Sequence, residues 1–435
     1  MGTTMSSKER VLMAIDCREP DHIPLLNRDG IPYRYWLTRR RDDRPFRDQY
    51  ERVVETLKLG IDDAVAINPP FHLNDGIKIR IREARPPTEK YPLLTKVYET
   101  PKGSLSKVVR KTPDWPHGDD IPLFDDYGVS RSVKNWVENE GDLDVLSYLF
   151  REPTEDELET FQEEAEHIGH FSEEHEVPIM CVEDAKLGSA AMWLCGFINV
   201  IKYAIKNQEF LHRLLDIIHE WDMLKTRYLV EYGGADVVVH YGWYDSTDFW
   251  SMKAYRTFLL PRLREEIEFV HGHKAKFGYT MASGAMPLLK TFREMDIDLL
   301  YGVDPIQGGY DLLRTKKDIG DRICLWGGVN SHITLTLGDR HDVTAAVSEA
   351  FSNLAPGGGF ILSSVGTLSY SQIPMGNIEA MIEAWRGATA PKRPSANAKV
   401  LGGNAPFSDP RMTAHRHCSG IDSHVLCNRK GTPVE

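Results

Sequence analysis

Eight short apolar runs punctuate the chain, and most are followed by a stretch with helical spacing. They are IPLL (23–26), DAVAI (63–67), VPIMCV (177–182), ADVVVH (235–240), KFGYTM (276–281), IDLLYG (297–302), ICLWGG (323–328) and FILSSV (360–365). Each is rich in β-branched or aromatic residues and almost continuously apolar, as expected of parallel strands covered on both faces. The segment QEFLHRLLDIIHEWDMLKTRYLVEYGG sets Phe210, Leu211, Leu214, Ile217, Ile218, Trp221 and Leu224 on one helical stripe, and Gly233-Gly234 stop it. Eight strands alternating with helices predict an α/β fold, a (β/α)8 TIM barrel spanning residues 6–387 as a single domain.

The spacing is uneven in one place. Residues 70–175 form a long insertion between the second and third strands. It holds KVYETPKGSLSKVVRK, two alternating runs around Pro101-Lys102-Gly103, which is a β-hairpin signal. An acidic helix follows, with Thr154 as its N-cap. The insertion has too little apolar content for a core of its own and reads as a lid or a dimer arm. After Trp385 the periodicity stops, and residues 388–435 read as a disordered tail. His415, His417, Cys418, His424 and Cys427 of that tail could meet a metal, but their spacing matches no closed four-ligand pattern.

Composition narrows the classes. Across 435 residues, 64 acidic side chains outnumber 52 Lys and Arg, for a net charge of −12 with no basic stripe, so a nucleic-acid partner is not expected. No apolar run approaches membrane-spanning length and the N-terminal stretch is polar, so a cytoplasmic chain without a membrane partner is expected. The six cysteines are scattered and form no C-x-x-C pair, so neither a redox couple nor a zinc ribbon is indicated.

In a barrel, chemistry sits in the loops after the C-terminal strand ends. That rule removes Ala355-Pro356-Gly357-Gly358-Gly359, a phosphate-cradle look-alike that precedes the last strand and reads as a helix stop. It keeps Arg28, Asp29 and Arg34 after strand 1, Glu183, Asp184 and Lys186 after strand 3, and His240 with Trp243, Tyr244 and Asp245 after strand 4. It also keeps Tyr279, Met281 and Ser283 after strand 5, Asp304 after strand 6, Asn330 after strand 7 and Ser364 after strand 8. A polar mouth flanked by aromatics suits a planar or ring-bearing small molecule. Each residue has a plainer reading beside the functional one. His240 is either a bonded core histidine or a functional group; Glu183 and Asp184 are an acid/base pair, metal ligands or anchors for Lys186 or Arg28. Arg28 and Asp29 are either a carboxylate clamp or an internal ion pair. Trp243 and Tyr244 are a packed lid or a substrate platform, and Met281 is packing.

Several blocks resemble the superfamily of uroporphyrinogen decarboxylase and the cobalamin- and coenzyme-M-linked methyltransferases. They are SSKERVLMAIDCREPDHIPL, SMKAYRTFLLPRL (251–263), LWGGVNSHITLTLGDRHDV (325–343), LAPGGGFILSS (354–364) and IPMGNIEAMIEAWR (373–386), in order over about residues 6–387. The resemblance implies the same barrel. It also exposes departures. The zinc-dependent methyltransferases of that superfamily carry His-x-Cys where this chain has Met281, Ala282 and Ser283, and their later Cys falls near Gly366. The decarboxylases carry an arginine-rich segment after strand 1, an Asp where Pro69 stands and a His near Gly366; here only Arg28 and Arg34 are scattered through the first segment.

The resemblance implies first a methyltransferase that demethylates a small, ring-bearing compound and passes the methyl group to a corrinoid on a partner protein. One zinc would be held by His240 with Glu183 or Asp184, or Tyr279 or Asp245 would act as the acid. The alternative is a decarboxylase of a carboxylated ring compound, with no metal or cofactor, in which Arg28 and Arg34 bind carboxylates. A non-catalytic barrel binding a porphyrinoid or corrinoid is the third. The expected partners are a small-molecule substrate, a corrinoid protein and a second copy in a homodimer. Trp243, Tyr244, Ser283, Asp304, Asn330 and Ser364 line the substrate side in all three.

Overall fold

In the computed structural model, residues 5–27, 46–183, 186–366 and 373–389 are described. Helix α1 (Ser7–Ile15) opens on a capping box in which the Ser6 hydroxyl accepts from Glu9 N and the Glu9 carboxylate accepts from Ser6 N. Helix α2 (Gln49–Leu57) follows. The region predicted as a hairpin is larger than one: β1 (Lys78–Ala84), β2 (Leu93–Thr100), β3 (Gly103–Arg110) and β4 (Ser132–Lys134) form a four-stranded antiparallel sheet in that order. Every position of β1 is exposed, and its alternation of Lys or Arg with Ile gives the charged edge that discourages pairing with other chains. Helix α3 (Glu155–His175) begins at its predicted Thr154 cap.

The centre is a six-stranded sheet, with every neighbouring pair parallel: β5 (Met180–Glu183), β6 (Val237–Tyr241), β7 (Lys276–Thr280), β8 (Leu299–Val303), β9 (Cys324–Asn330) and β10 (Phe360–Val365), neighbours in chain order. Its two ends are extended by single parallel bridges, Leu25 to Leu362 and Val65 to Ile179. The two shortest predicted strands therefore appear as single bridges rather than ladders. Side chains explain one of them: Gln49 of α2 bonds both the N–H and the carbonyl of Ala66 at 2.8 Å, and Arg52 takes the Ala64 carbonyl at 2.6 Å. Those backbone groups are satisfied without a neighbouring strand. In the other, Pro24 has no N–H to offer a ladder.

Strand alternation divides the sheet's residues between two apolar groups. Met180, Val237, Val239, Leu299, Tyr301, Cys324, Trp326 and Ile361 gather with Leu26 and with Val11, Ala14 and Ile15 of α1, so α1 packs against this inner face. The alternate positions, Cys181, Val238, Phe277, Tyr279, Leu300, Leu325 and Leu362, pack instead with the helices. Those helices include α4 (Leu187–Cys195), α5 (Phe197–Lys206), α6 (Gln208–Glu231) and α7 (Leu260–Gly272). Gly358 lies against the Arg18 backbone, just beyond α1 and at the end of the strands opposite the candidate site, as its position before the last strand predicts. Among the described residues no single helix is long and apolar enough to cross a membrane.

Candidate active site at the strand ends

The predicted polar residues separate into two places, and strand phase decides which. His240 shares its phase with Val238, and the register sets it beside Tyr279 on one side and Glu183 on the other. His240 therefore faces the helices. There its Nδ1 lies 2.6 Å from Glu266 Oε2 of α7. The other oxygen of Glu266 accepts from Lys186 Nζ at 2.5 Å and from the Thr226 hydroxyl at 2.9 Å. Burial alone would raise the Glu266 carboxyl, but Lys186 and His240 hold it well below the usual carboxylate range. An ionised carboxylate only accepts, so His240 Nδ1 carries the proton of that bond.

The chain of contacts continues on the other edge of the ring. His240 Nε2 has no hydrogen-bond partner and lies 3.8 Å from Asp245 Oδ2, which accepts from the Tyr279 hydroxyl at 2.8 Å. Lys186, His240, Asp245, Glu266 and Tyr279 are each at most 1% exposed. The packing is close: a Cβ on Gly188 would meet Asp245 Oδ1 at 2.2 Å, and one on Gly242 would meet the Tyr279 ring at 2.3 Å. Burial pushes Asp245 up to about 6, against the downward pull of His240 and of the Tyr279 bond. Burial and the neighbouring Asp245 likewise push the Tyr279 hydroxyl well above its ordinary value. Three predicted catalytic residues are thus brought together, but in the layer between sheet and helices.

A carboxyl whose folded value is raised contributes most to stability below the unfolded value near 4, and that contribution is lost as pH rises through about 6. Asp245→Asn keeps the acceptor for Tyr279 and removes the titration. The variant is expected to gain on the wild type between pH 4.5 and 7.5 by roughly 3 kcal/mol at most, measured by urea unfolding at both pH values. An unchanged difference between the two proteins across that range would contradict the placement.

The second place is the inner face at the C-terminal strand ends. Tyr241, in phase with Val237 and Val239, packs with Trp193 of α4 at 5.9 Å between ring centroids and stacks beneath Trp243 at 6.1 Å. Phe124, Val129 and Tyr244 complete this aromatic wall. Asp126 ties the 70–175 region to it, accepting from the Tyr244 hydroxyl at 2.5 Å and from Trp193 Nε1 at 3.4 Å. Around the same strand ends, Asn330 Nδ2 donates to Asp304 Oδ2 at 2.6 Å and to Gln307 Oε1 at 2.9 Å. The hydroxyls of Ser363 and Ser364 both donate to Asn27 Oδ1. The hydroxyls of Thr280 and Ser331 are buried with no partner. Burial raises the Asp304 carboxyl, outweighing the bonds from Ile306 N and Asn330. Ser283 stands apart, donating to Asp248 at 2.6 Å.

Arg28, Asp29, Arg34 and Asp184 lie outside the described residues, as do the side chain of Glu183 and the His/Cys tail. The described residues do not compose a zinc site at either place. At the His-x-Cys positions Met281 is fully buried and Ser283 is bonded to Asp248; Glu266 takes His240 Nδ1 and leaves Nε2 without a hydrogen bond, and the other expected ligand, Glu183, has its side chain outside the described residues. The one group of three ligand atoms among the described residues is the exposed helix cap Asp339, His341 and Asp342.

The sequence model of the Uroporphyrinogen decarboxylase (URO-D) family matches residues 132–388. The chain belongs to that family. A methyltransferase from Methanosarcina mazei is a similar solved structure, with a TM-score of 0.54 and 20% identity over 89% of this chain and 100% of that one. A 3-keto-D-glucoside 4-epimerase from E. coli matches at 12% identity over 52% of this chain and 84% of its own, with a TM-score of 0.34. No protein of curated function matches by sequence. The family match begins at Ser132, at the last strand of the antiparallel sheet, so most of the region that supplies Phe124, Asp126 and Val129 to the aromatic wall precedes it.

Sequence reasoning missed Glu266, Trp193 and Asp126. Glu266 had a signal, since it sits on the apolar stripe of α7 between Leu263 and Ile267, where an acid must have a buried partner. Trp193 was hidden in a helix buried on all sides, and Asp126 in a region whose path over the strand ends no periodicity encodes.

Proposed function

We propose that this URO-D family chain transfers a methyl group from a small, ring-bearing methylated compound to a corrinoid carried by a partner protein. It would do so at the C-terminal end of a (β/α)8 barrel whose first two strands are the segments bridged at Leu25 and Val65. The observation that carries the reading is the aromatic wall of Trp193, Tyr241 and Trp243 on the inner side of the strand ends, with Asp304 and the unpartnered hydroxyls of Thr280 and Ser331 at neighbouring strand ends. The likeness of fold to the Methanosarcina methyltransferase supports the same reading.

The substrate ring stacks on the wall, which fixes its plane and excludes water from one face. The corrinoid supplies the electron pair that accepts the methyl group. The bond between methyl carbon and ring-borne oxygen or nitrogen breaks toward the ring, and the departing atom needs a proton. Asp304 is our assignment for that proton: its carboxyl is raised by burial and oriented by Asn330 Nδ2 and Ile306 N. Asn330 orients the ring's polar substituents, and Arg28, Asp29 and Arg34, with Glu183 and Asp184, are proposed contacts for a charged one; Ser364, in phase with Leu362, is turned toward the helices.

The test is an anaerobic assay of the purified chain with cob(I)alamin and a panel of methoxylated and N-methylated ring acids. Conversion of the cob(I)alamin spectrum to that of methylcobalamin, lost in Asp304→Asn, is expected. Carbon dioxide release from carboxylated rings with no cobalamin present would replace this reading with decarboxylation.

A further inference from the structure

Helix α5 carries an apolar stripe that the fold does not cover. Ile198, Ile201 and Ile205 are 69%, 43% and 73% exposed, and their spacing sets them on one face over about 10 Å of helix. The stripe borders a cavity of about 370 Å³ between α5 and residues 249–258. Its floor is Met192, Val200, Trp250 and Phe258, and Ile201 and Ile205 form one wall. Bases surround it. Lys202, Lys206, Lys253 and Arg256 are exposed, and none has an ion-pair partner among the described residues. Residues 197–208 and 249–263 carry these four bases and Arg262 and no acid, with Glu209 and Asp248 standing just outside them, in a chain of net charge −12.

We propose that this groove receives an acidic amphipathic helix of another protein. A partner helix packs apolar side chains at i, i+3, i+4 and i+7 into such a groove, and glutamates or aspartates on its flanks meet the four bases. The competing occupants fit less well. A second copy joined by a two-fold axis would set the same bases against themselves. A head-to-tail contact through the acidic α3 of a second copy lacks an anchor, because Phe161, Ala165 and Ile168 of α3 are already buried. The chain's own residues 390–435 carry seven Lys and Arg against three acids, the wrong sign for this surface. A bilayer would cover the exposed Ile198, Ile201 and Ile205 but leave the recessed floor of Met192, Val200, Trp250 and Phe258 unfilled. The groove also touches the candidate site: Phe249 lies edge-on to Tyr244 at 5.2 Å, and Trp250 Nε1 donates to the Tyr244 carbonyl at 2.9 Å.

The test uses the full chain and a fluorescent synthetic helix with leucines at i, i+3, i+4 and i+7 and glutamates elsewhere, read by anisotropy. Binding is expected to weaken by about tenfold or more in Ile205→Asp and in Lys202→Glu/Lys206→Glu/Lys253→Glu, all at exposed positions whose circular dichroism should match the wild type. A lysine-for-glutamate version of the peptide should bind only the triple variant. Failure of the acidic peptide to bind, or binding indifferent to these substitutions, overturns the proposal. So does a dimer in sedimentation that Ile205→Asp dissociates, which would assign the face to a second copy. Flotation with phosphatidylglycerol vesicles that Ile205→Asp abolishes, without peptide binding, would assign it to a membrane. None of these readouts depends on methyl transfer, so their failure is distinct from failure of the catalytic reading.

Discussion

Glu266→Gln is expected to destabilise the fold by about 3–5 kcal/mol, the loss typical of removing one member of a buried ion pair. The reason lies in what the carboxylate holds. It faces Lys186, which is fully buried, while also accepting from Thr226 and pairing with His240 Nδ1. With glutamine in place, the ammonium keeps its desolvation penalty and loses its counter-charge. A double variant separates this from a simple packing defect. Lys186→Met with Glu266→Gln removes both charges, so it should unfold at a higher urea midpoint than Glu266→Gln alone. A single variant within 1 kcal/mol of the wild type, or a double variant that sums the two single losses, would show that the cluster is not a coupled unit.

The second large effect concerns the aromatic wall. Tyr241→Ala or Trp193→Ala is expected to raise KM for a ring-bearing substrate by roughly 5- to 150-fold, the range of about 1–3 kcal/mol for one stacked ring. Trp193→Ala should also weaken the tie to the 70–175 region, because Trp193 Nε1 and the Tyr244 hydroxyl share Asp126 Oδ1. Tyr244→Phe isolates that tie: it removes the 2.5 Å bond and leaves the ring. If Tyr244→Phe matched Trp193→Ala in its effect on KM, Asp126 anchoring would be the cause rather than stacking. If neither Tyr241→Ala nor Trp193→Ala changed KM, the ring would bind elsewhere.

Much of the fold was legible because parallel strands buried on both faces write themselves as continuous apolar runs. Six of the eight runs form the ladder sheet, and the two shortest, around Pro24 and Ala66, are single bridges for reasons that lie in side chains. The cap of α3 was equally local, as the Thr154 box shows. The site was harder. The strand-end rule singles out His240, Tyr279, Asp245, Asp304, Asn330 and Ser364 as candidates, but being at the right end of a strand does not say which face a side chain takes. His240 and Tyr279 share the phase of Val238 and Phe277 and meet the helices, while Tyr241 and Thr280, one residue later, turn to the inner side. That parity could have been read from the apolar pattern. The contributions of Asp126 and Phe124 could not, since they depend on how a separate antiparallel sheet docks.

The most direct test of the central claim follows the fate of a labelled methyl group. The purified chain, cob(I)alamin and a ring compound carrying a ¹³C-methyl ether would be sampled over a single turnover by NMR. Methyl transfer predicts the label on cobalt as methylcobalamin, with the demethylated ring accumulating in equal amount and both lost in Asp304→Asn. A label that stays on the ring while the ring loses carbon dioxide would contradict it.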